Sequence, residues 1–371
     1  MKTGWKSNTL GNTCDMYQPK TISGKEMVDD GAYPVFGANG IIGRYDKYNH
    51  EETQLLITCR GATCGSVNIS SPKSWITGNA MVVRPKTKEI DLTFLEYLFR
   101  GGIDISKAIT GTAQPQITQT NLSKIQIFYP ESISEQRRIV AILDQAFAGI
   151  ATAKANAEQN LKNARALFES HLQSVFTERG EGWVEKPLNS IAEFSQGIQV
   201  ALGDQRKKPG EGLVRFIRIV DYTQGTDNVR YVKNHGKKYW ADKADIVMVR
   251  YGTPGLIGRG IEGLIANNLF KISILNKQLI NDFLVYFLSQ RSIQGYLRNQ
   301  GALAMPAITF KQLGGVVVTY PTEIEKQKSI VLLLDSIDDE TQRLKNIYQQ
   351  KLVALDDLKK SLLNQAFSGN L

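Results

Sequence analysis

Ser134–Phe176 reads SEQRRIVAILDQAFAGIATAKANAEQNLKNARALFESHLQSVF, and the chain carries this stretch twice. Moved forward by 191 positions, without a gap, it lands on Glu325–Phe367, EKQKSIVLLLDSIDDETQRLKNIYQQKLVALDDLKKSLLNQAF. Under that shift Gln136 falls on Gln327, Ile139 on Ile330, Val140 on Val331 and Leu143-Asp144 on Leu334-Asp335. Lys154, Leu161, Leu167, Ser170, Leu172 and Phe176 also meet their own residue type. A long repeat of this kind, with different material between its copies, decides the architecture before any local feature is read.

Both copies have the pattern of long amphipathic helices. In the second, Ile330, Ile337, Leu344, Lys351 and Leu358 alternate with Leu334, Thr341, Tyr348, Leu355 and Leu362 as the two rows of a helix-packing seam. The first carries Ile139, Ala146, Ala153, Asn160 and Leu167, with Leu143, Ile150, Ala157, Ala164 and His171, at the matching places. Its alanines allow a partner helix to approach closely. Neither segment contains proline, and Gly180 and Gly369 follow their ends as stop signals.

The material between the helices is repeated too. Gly4-Trp5-x4-Leu10 opens the first block and Gly182-Trp183-x4-Leu188 the second. Leu55–Thr58 and Val67–Ile69 are expected strands flanking the turn Arg60-Gly61-Ala62-Thr63, and Asp245-Ile246-Val247-Met248-Val249 followed by Arg250-Tyr251-Gly252-Thr253-Pro254-Gly255 repeats that plan. Ile76-Thr77-Gly78-Asn79-Ala80 has its counterpart in Ile265-Ala266-Asn267-Asn268-Leu269, and short helices are expected over Thr93–Phe99 and Asn281–Leu288. Pro115-Gln-Ile117-Thr118 and Pro306-Ala-Ile308-Thr309 close the blocks, and each block ends on Tyr-Pro, at Tyr129-Pro130 and Tyr320-Pro321. The prolines stop each block before a long helix begins. The Pro-x-Ile-Thr turn is either a nucleic-acid contact or only the loop that terminates its block.

Block, helix, block, helix is therefore the order, with segments 1–130, 131–180, 181–321 and 322–371. The first helix leaves block one for block two, and a second helix packed on it must run back, so the pair is antiparallel. The expected fold is α+β: two mixed α/β domains separated by a pair of long antiparallel coiled-coil helices, with an internal pseudo-twofold repeat. About 43 residues at 1.5 Å each give a helix of roughly 65 Å, close to two turns of duplex DNA.

Charge locates the polyanion partner. The 371 residues carry a net +9, but residues 183–320 hold 18 Lys/Arg against 10 Asp/Glu, and residues 1–130 hold 14 against 11. The helical segments are each near neutral, so the positive charge sits where the blocks would meet double-stranded DNA. Between Gln199 and Lys238 basic residues interleave with aromatics: Arg206, Lys207, Lys208, Arg215, Arg218, Tyr222, Lys237 and Lys238. Such mixtures suit phosphate contact and stacking, although each residue taken singly is as well explained as solvated surface. The first block has fewer, with Arg44 and Lys47 as its candidates. The turns add Arg60, Thr63, Asn79, Gln114, Gln116 and Thr118 in block one, and Arg250, Tyr251, Arg259 and Thr309 in block two.

No apolar run approaches 18 residues and no cleavable leader is visible, which points to a soluble cytoplasmic protein without a membrane partner. Cys14, Cys59 and Cys64, with His50, His171 and His235 scattered, suggest neither a disulfide framework nor a metal site. The chain has no Asn/Asp-Pro-Pro-Tyr/Phe tetrad for adenine methylation and no phosphate-binding G-x-x-x-x-G-K-S/T loop, so no catalytic residues are expected. Asp144 and Asp335 lie on the helices, where a helix-face or capping role is the better reading. A coiled-coil assembly protein with protein-binding terminal domains is the alternative, disfavoured by the charge distribution.

Taken together, the chain resembles the DNA-specificity subunits of type I restriction-modification systems. The resemblance covers essentially its full length. It rests on the glycine turns, the Pro-x-Ile-Thr and Tyr-Pro closures, the pattern I-x-x-Q-x-x-I-V-x-x-L-D at Ile133–Asp144 and Ile324–Asp335, and the ending Phe367-Ser-Gly-Asn-Leu371. The first block departs from the second in being shorter and less basic. The resemblance implies that the blocks are target-recognition domains, each reading one half of an asymmetric bipartite site. It implies that the helices set the spacing and bind two methyltransferase subunits, with restriction subunits completing the complex. The cofactors it implies are S-adenosylmethionine in the methyltransferase and ATP and Mg in the restriction subunit, with none in this chain. The host would be bacterial or archaeal, and the complex an adenine DNA methyltransferase and ATP-dependent endonuclease.

Overall fold

A computed structural model describes residues 3–111, 113–224, 228–298 and 307–371. It divides into two compact units, Met1–Glu158 with Gln349–Leu371, and Gln159–Tyr348. The long helices run Ile133–Thr177 and Ile324–Ser368, 45 residues each. Each unit therefore holds one α/β domain, the opening turns of one helix and the closing turns of the other.

In the first domain Trp5–Thr9 pairs antiparallel with Gln126–Pro130, which leads into the first helix. The central sheet is antiparallel, in the order Cys14–Tyr17, Ala80–Pro85, Leu55–Thr58, Val67–Ile69. All four residues of Leu55–Thr58 are buried, because the sheet is covered on both faces. Side chains alternate between the faces. Leu55, Ile57, Met81 and Val83 meet the helical core, while Leu56, Ala80 and Val82 meet Phe36 and Ile76. Phe36 and Ile76 belong to a second sheet of Gly40–Tyr45, Tyr33–Gly37 and Trp75–Ile76, whose last two strands are parallel.

The second domain repeats this plan. Trp183–Pro187 pairs with Val317–Pro321, and the central sheet runs Ala192–Gln196, Leu269–Ile274, Ile246–Val249, Ile257–Gly258. Its other sheet runs Arg230–Lys233, Leu213–Ile217, Gly263–Ile265, Trp240–Ala241, again with one parallel pair, between Leu213–Ile217 and Gly263–Ile265. The fourth strand there has an isolated bridge as its counterpart in the first domain, between His50 and Ser74. The expected short helices are present over Leu92–Tyr97 and Asn281–Ser289, and a further one, Arg291–Arg298, was not anticipated.

The repeated helix motif is a docking device. Gln136 is fully buried, accepting from the Asp91 N–H at 2.9 Å and donating to the carbonyls of Glu89 and Pro130, both at 2.8 Å. Gln327 does the same in its own unit, with Ile280 N–H at 3.0 Å and the carbonyls of Gln278 and Pro321 at 2.6 and 2.7 Å. About two turns further along each helix comes the aspartate: the Tyr97 hydroxyl donates to Asp144, and Tyr286 donates to Asp335 at 2.5 Å. Burial, followed by the hydrogen-bonded carboxylate, raises both phenols above their ordinary range.

Helix ends complete each core. In the first unit Ile139 and Leu143 lie with Leu363, Ala366 and Phe367, and the Phe94 and Phe367 rings are 5.4 Å apart. In the second, Leu172 and Phe176 lie with Val331 and Leu334, and Phe176 and Phe283 are 5.2 Å apart. The start of one helix thus lies beside the end of the other, which makes the segments antiparallel within each unit. Lys154 bridges to Asp356 at 2.7 Å in the first.

The seam departs from the expected one near the helix ends. Leu143, Ile150, Ala157 and Ala164 are buried at seven-residue spacing, but His171 is exposed, and Leu167 and Leu358 are 54% and 46% exposed. Burial moves to Leu172 and Phe176 in one helix and to Leu363 and Phe367 in the other. A straight helix drifts from a strict heptad, and near its end each helix turns its apolar face to a globular domain. The slip occurs at the same place in both copies.

All three cysteines are free. Burial pushes the thiols of Cys14 and Cys59 up to about 11, so they remain protonated packing groups.

Candidate nucleic-acid interface

Three turns that are distant in sequence are tied together in each domain by main-chain hydrogen bonds. In the first, Cys59 donates its N–H to the Asn79 carbonyl at 3.2 Å, and its own carbonyl accepts from Ile117 at 2.9 Å. Gly61 N–H reaches the Pro115 carbonyl at 3.1 Å, and Arg60 bridges to Gln116. Gly61 and Gly65 have φ of +87° and +91°, the left-handed region that glycine enters without strain. Arg60, Thr63, Asn79, Gln114, Gln116 and Thr118 are consequently carried on one connected rim, and all six are exposed. Thr118 also has a structural role, because its hydroxyl accepts from the Asn121 N–H at 3.2 Å and caps Gln119–Leu122.

The second domain uses the same ties. Arg250 donates its N–H to the Asn268 carbonyl at 2.8 Å and accepts from Ile308 at 3.0 Å, and Gly252 and Gly255 have φ of +94° and +85°. Arg250, Tyr251 and Thr309 share this rim. Thr309 caps Phe310–Gly314, accepting from Gln312 at 3.2 Å. In both domains the threonine of the Pro-x-Ile-Thr element caps a short helix. Pro306, at the start of the second copy, lies outside the described residues, as does Thr112 in the first domain.

Other candidates are placed elsewhere. The Arg44 guanidinium donates to the carbonyls of Gly31 at 2.5 Å and Ala32 at 3.0 Å, bracing its hairpin, while Lys47 is exposed. Arg206 pairs through its backbone with Tyr231 and donates to the Gly203 carbonyl at 2.6 Å, and the neighbouring Lys207 and Lys208 are exposed. Lys237 and Lys238 are exposed on the turn Lys237–Tyr239, with the Lys238 ammonium 5.6 Å from the Tyr239 ring.

Arg215 and Arg218 are committed to a buried carboxylate. Asp221, with its side chain 1% exposed, lies 3.5 Å from Arg215 Nη2 and 3.3 Å from Arg218 Nε, and accepts the Arg218 N–H at 2.8 Å. The Arg218 Nε approach is a charge contact without hydrogen-bond alignment. Tyr222 is half-buried beside it with its hydroxyl buried and unpaired, and burial raises that phenol. Arg259 is ion-paired with Asp282, at a cavity of about 630 Å³ that Lys243 and Lys277 also line.

Sequence reading missed Asp221, Asn268 and Phe270. Asn268 was discoverable from the repeat, since Asn79 occupies its place in the first domain. Asp221 carried no such signal, because an acid among basic residues reads as solvated charge until the fold buries it. No helix among the described residues is long and apolar enough to cross a membrane.

Comparison with known proteins gives a concordant result. A family model described as the Type I restriction modification DNA specificity domain matches residues 2–163 and 180–352. The Type I restriction enzyme EcoprrI specificity subunit of Escherichia coli is 30% identical over 144 residues, which is 38% of this chain and 35% of that relative. The match thus spans about a third of the curated relative's length. A chain from structural work on complex assembly and conformational transition of the type I R-M system superposes with a TM-score of 0.82, covering 100% of this chain and 99% of its own at 18% identity. The HsdS subunit of Thermoanaerobacter tengcongensis gives 0.65 over 100% and 98%, at 19% identity. At such identities these two likenesses speak for the fold.

Proposed function

The chain belongs to the type I restriction-modification DNA specificity family, and from that premise we propose that it is the non-catalytic, sequence-reading subunit of such a system. Each domain reads one half of an asymmetric, bipartite duplex site. The observation that carries this reading is the repeated rim with different side chains at matched places, Cys59 and Arg60 in one domain against Arg250 and Tyr251 in the other. Equal scaffolds with unequal side chains suit two unequal half-sites. Phosphate contacts would fall to exposed cations such as Lys207, Lys208, Lys237 and Lys238, which position the duplex without reading it.

In this reading the long helices set the gap between half-sites and carry two methyltransferase subunits, with restriction subunits completing the assembly. S-adenosylmethionine, ATP and Mg belong to those partners, and the adenine methylation and ATP-dependent cleavage are theirs. The working compartment is the cytoplasm of a bacterial or archaeal host. An assembly protein with protein-binding ends would have no use for a charge concentrated in residues 183–320.

The test is exchange of residues 183–320 for the corresponding block of another family member, followed by methylation profiling of the host genome. One half-site is expected to change and the other to persist; a change in both, or in neither, refutes modular reading. Inserting four residues, about one helical turn, after Ala157 and after Tyr348 is expected to lengthen the gap and preserve both half-sites. An unchanged gap removes the spacing role from the helices.

A further inference from the structure

Arg250 differs from four other arginines of its domain in what surrounds its charge. Arg215 and Arg218 face Asp221, Arg259 faces Asp282, and Arg298 donates to the Pro254 carbonyl. Among the described residues nothing accepts a hydrogen bond from the Arg250 guanidinium. It lies 5.7 Å from the Phe270 ring and 5.9 Å from the Tyr251 ring, with Nε buried and unpaired. Its main chain is fixed on both sides, to Asn268 and to Ile308. The Asn268 side-chain oxygen is a second buried group there without a partner.

A planar fork of donors, within cation–π distance of two aromatic rings and left without an acceptor, is prepared to receive one. Two ligand chemistries on a duplex fit it: the O6/N7 edge of guanine and a pair of phosphate oxygens. Orientation separates them. Phosphate contact tolerates a mobile cation, and the exposed lysines already provide that. Reading a base edge needs a positioned fork, and Arg250 has its main chain tied on both sides, its Nε buried and two rings beside its guanidinium. Gly252 beside it, at φ +94°, makes the turn that carries the main chain past Arg250.

Resting on the specificity reading above, we propose that Arg250 reads a guanine in the half-site of the second domain. The first domain has the buried thiol of Cys59 at the matched position, so it makes no equivalent guanine contact. The two half-sites therefore differ in composition at corresponding places, for a reason located in one residue pair.

The experiment selects bound sequences from a pool of 40-base-pair duplexes with randomised positions, using the full chain, alone and assembled with a modification subunit. Wild type, R250A and R250K are compared, with K207A as a phosphate-contact control. Wild type is expected to select a guanine at one position of one half-site. R250A is expected to lose that preference, to bind the selected site about 10- to 100-fold more weakly, and to keep the other half-site and the salt dependence. R250K retains the charge and loses the bidentate fork, so it is expected to lose the same preference; it decides the matter even if R250A fails to fold. K207A is expected to weaken all duplexes alike and flatten the salt dependence by about one ion.

A sequence-selective wild type whose guanine preference survives in R250K overturns this inference alone. Uniform weakening of all duplexes by the Arg250 variants, with a flatter salt dependence, makes Arg250 a phosphate contact and also overturns it. A wild type with no sequence preference in either form overturns the specificity reading itself.

Discussion

Asp221→Ala is expected to destabilise the second domain by about 3 kcal/mol, because breaking a buried ion pair from one side leaves charge behind. Here it leaves two charges. Arg215 and Arg218 have side chains only 26% and 19% exposed, and the Arg218 N–H loses its acceptor as well. Partial exposure of the arginines holds the loss near the lower end of the range for buried pairs. Asp221→Asn retains an acceptor for the N–H and removes only the charge, so about half the loss is expected. Urea unfolding of 5-fluorotryptophan-labelled protein, whose four tryptophans give separate fluorine signals, measures it at Trp240. Trp75, in the first domain, serves as an internal control, since two units need not unfold as one transition. A loss below about 1 kcal/mol for the alanine variant would mean that solvent already neutralises the cluster.

The second large effect is expected from the buried glutamines. Gln136→Ala removes three hydrogen bonds and strands the Asp91 N–H together with the carbonyls of Glu89 and Pro130. Leaving buried main-chain groups unpaired costs about 1–3 kcal/mol each when no water replaces the partner, and partial hydration reduces the sum, so about 3 kcal/mol is expected. Gln327→Ala should give a matching loss in the other unit. Hydrogen exchange locates it: the amides of Asp91 and Ile280 should each lose about two decades of protection in their own variant. Unchanged exchange at both amides would show that the glutamines do not hold the helices to the domains.

These two sites mark what could and could not be read in advance. The gapless repeat exposed the long helices, their antiparallel course and the equivalence of the two domains. The run Leu55-Leu56-Ile57-Thr58 announced a strand, and its burial on both faces came only with the fold. Gln136 and Asp144 were visible as recurring motif residues, but their work was not, since Asp91 and Tyr97, which they meet, lie 45 and 47 residues away. The seam was misread near the helix ends, where the domain and no longer the partner helix decides which face is buried. Among the site candidates, the rim around Arg60 and Asn79 depends on long-range main-chain bonds that leave no local pattern. Arg215 and Arg218 look identical in sequence to the free cations Lys207 and Lys208, and only the burial of Asp221 separates them.

The glutamine socket has a consequence for descent. Every atom that Gln136 and Gln327 grip belongs to the main chain. Mutation cannot easily erase a carbonyl or an amide, so a domain can replace most of its side chains and still fit the same helix. Shuffling and drift among recognition surfaces then proceed without redesign of the frame that holds them. New specificities become cheap for the lineage, and the frame itself has every reason to stay as it is.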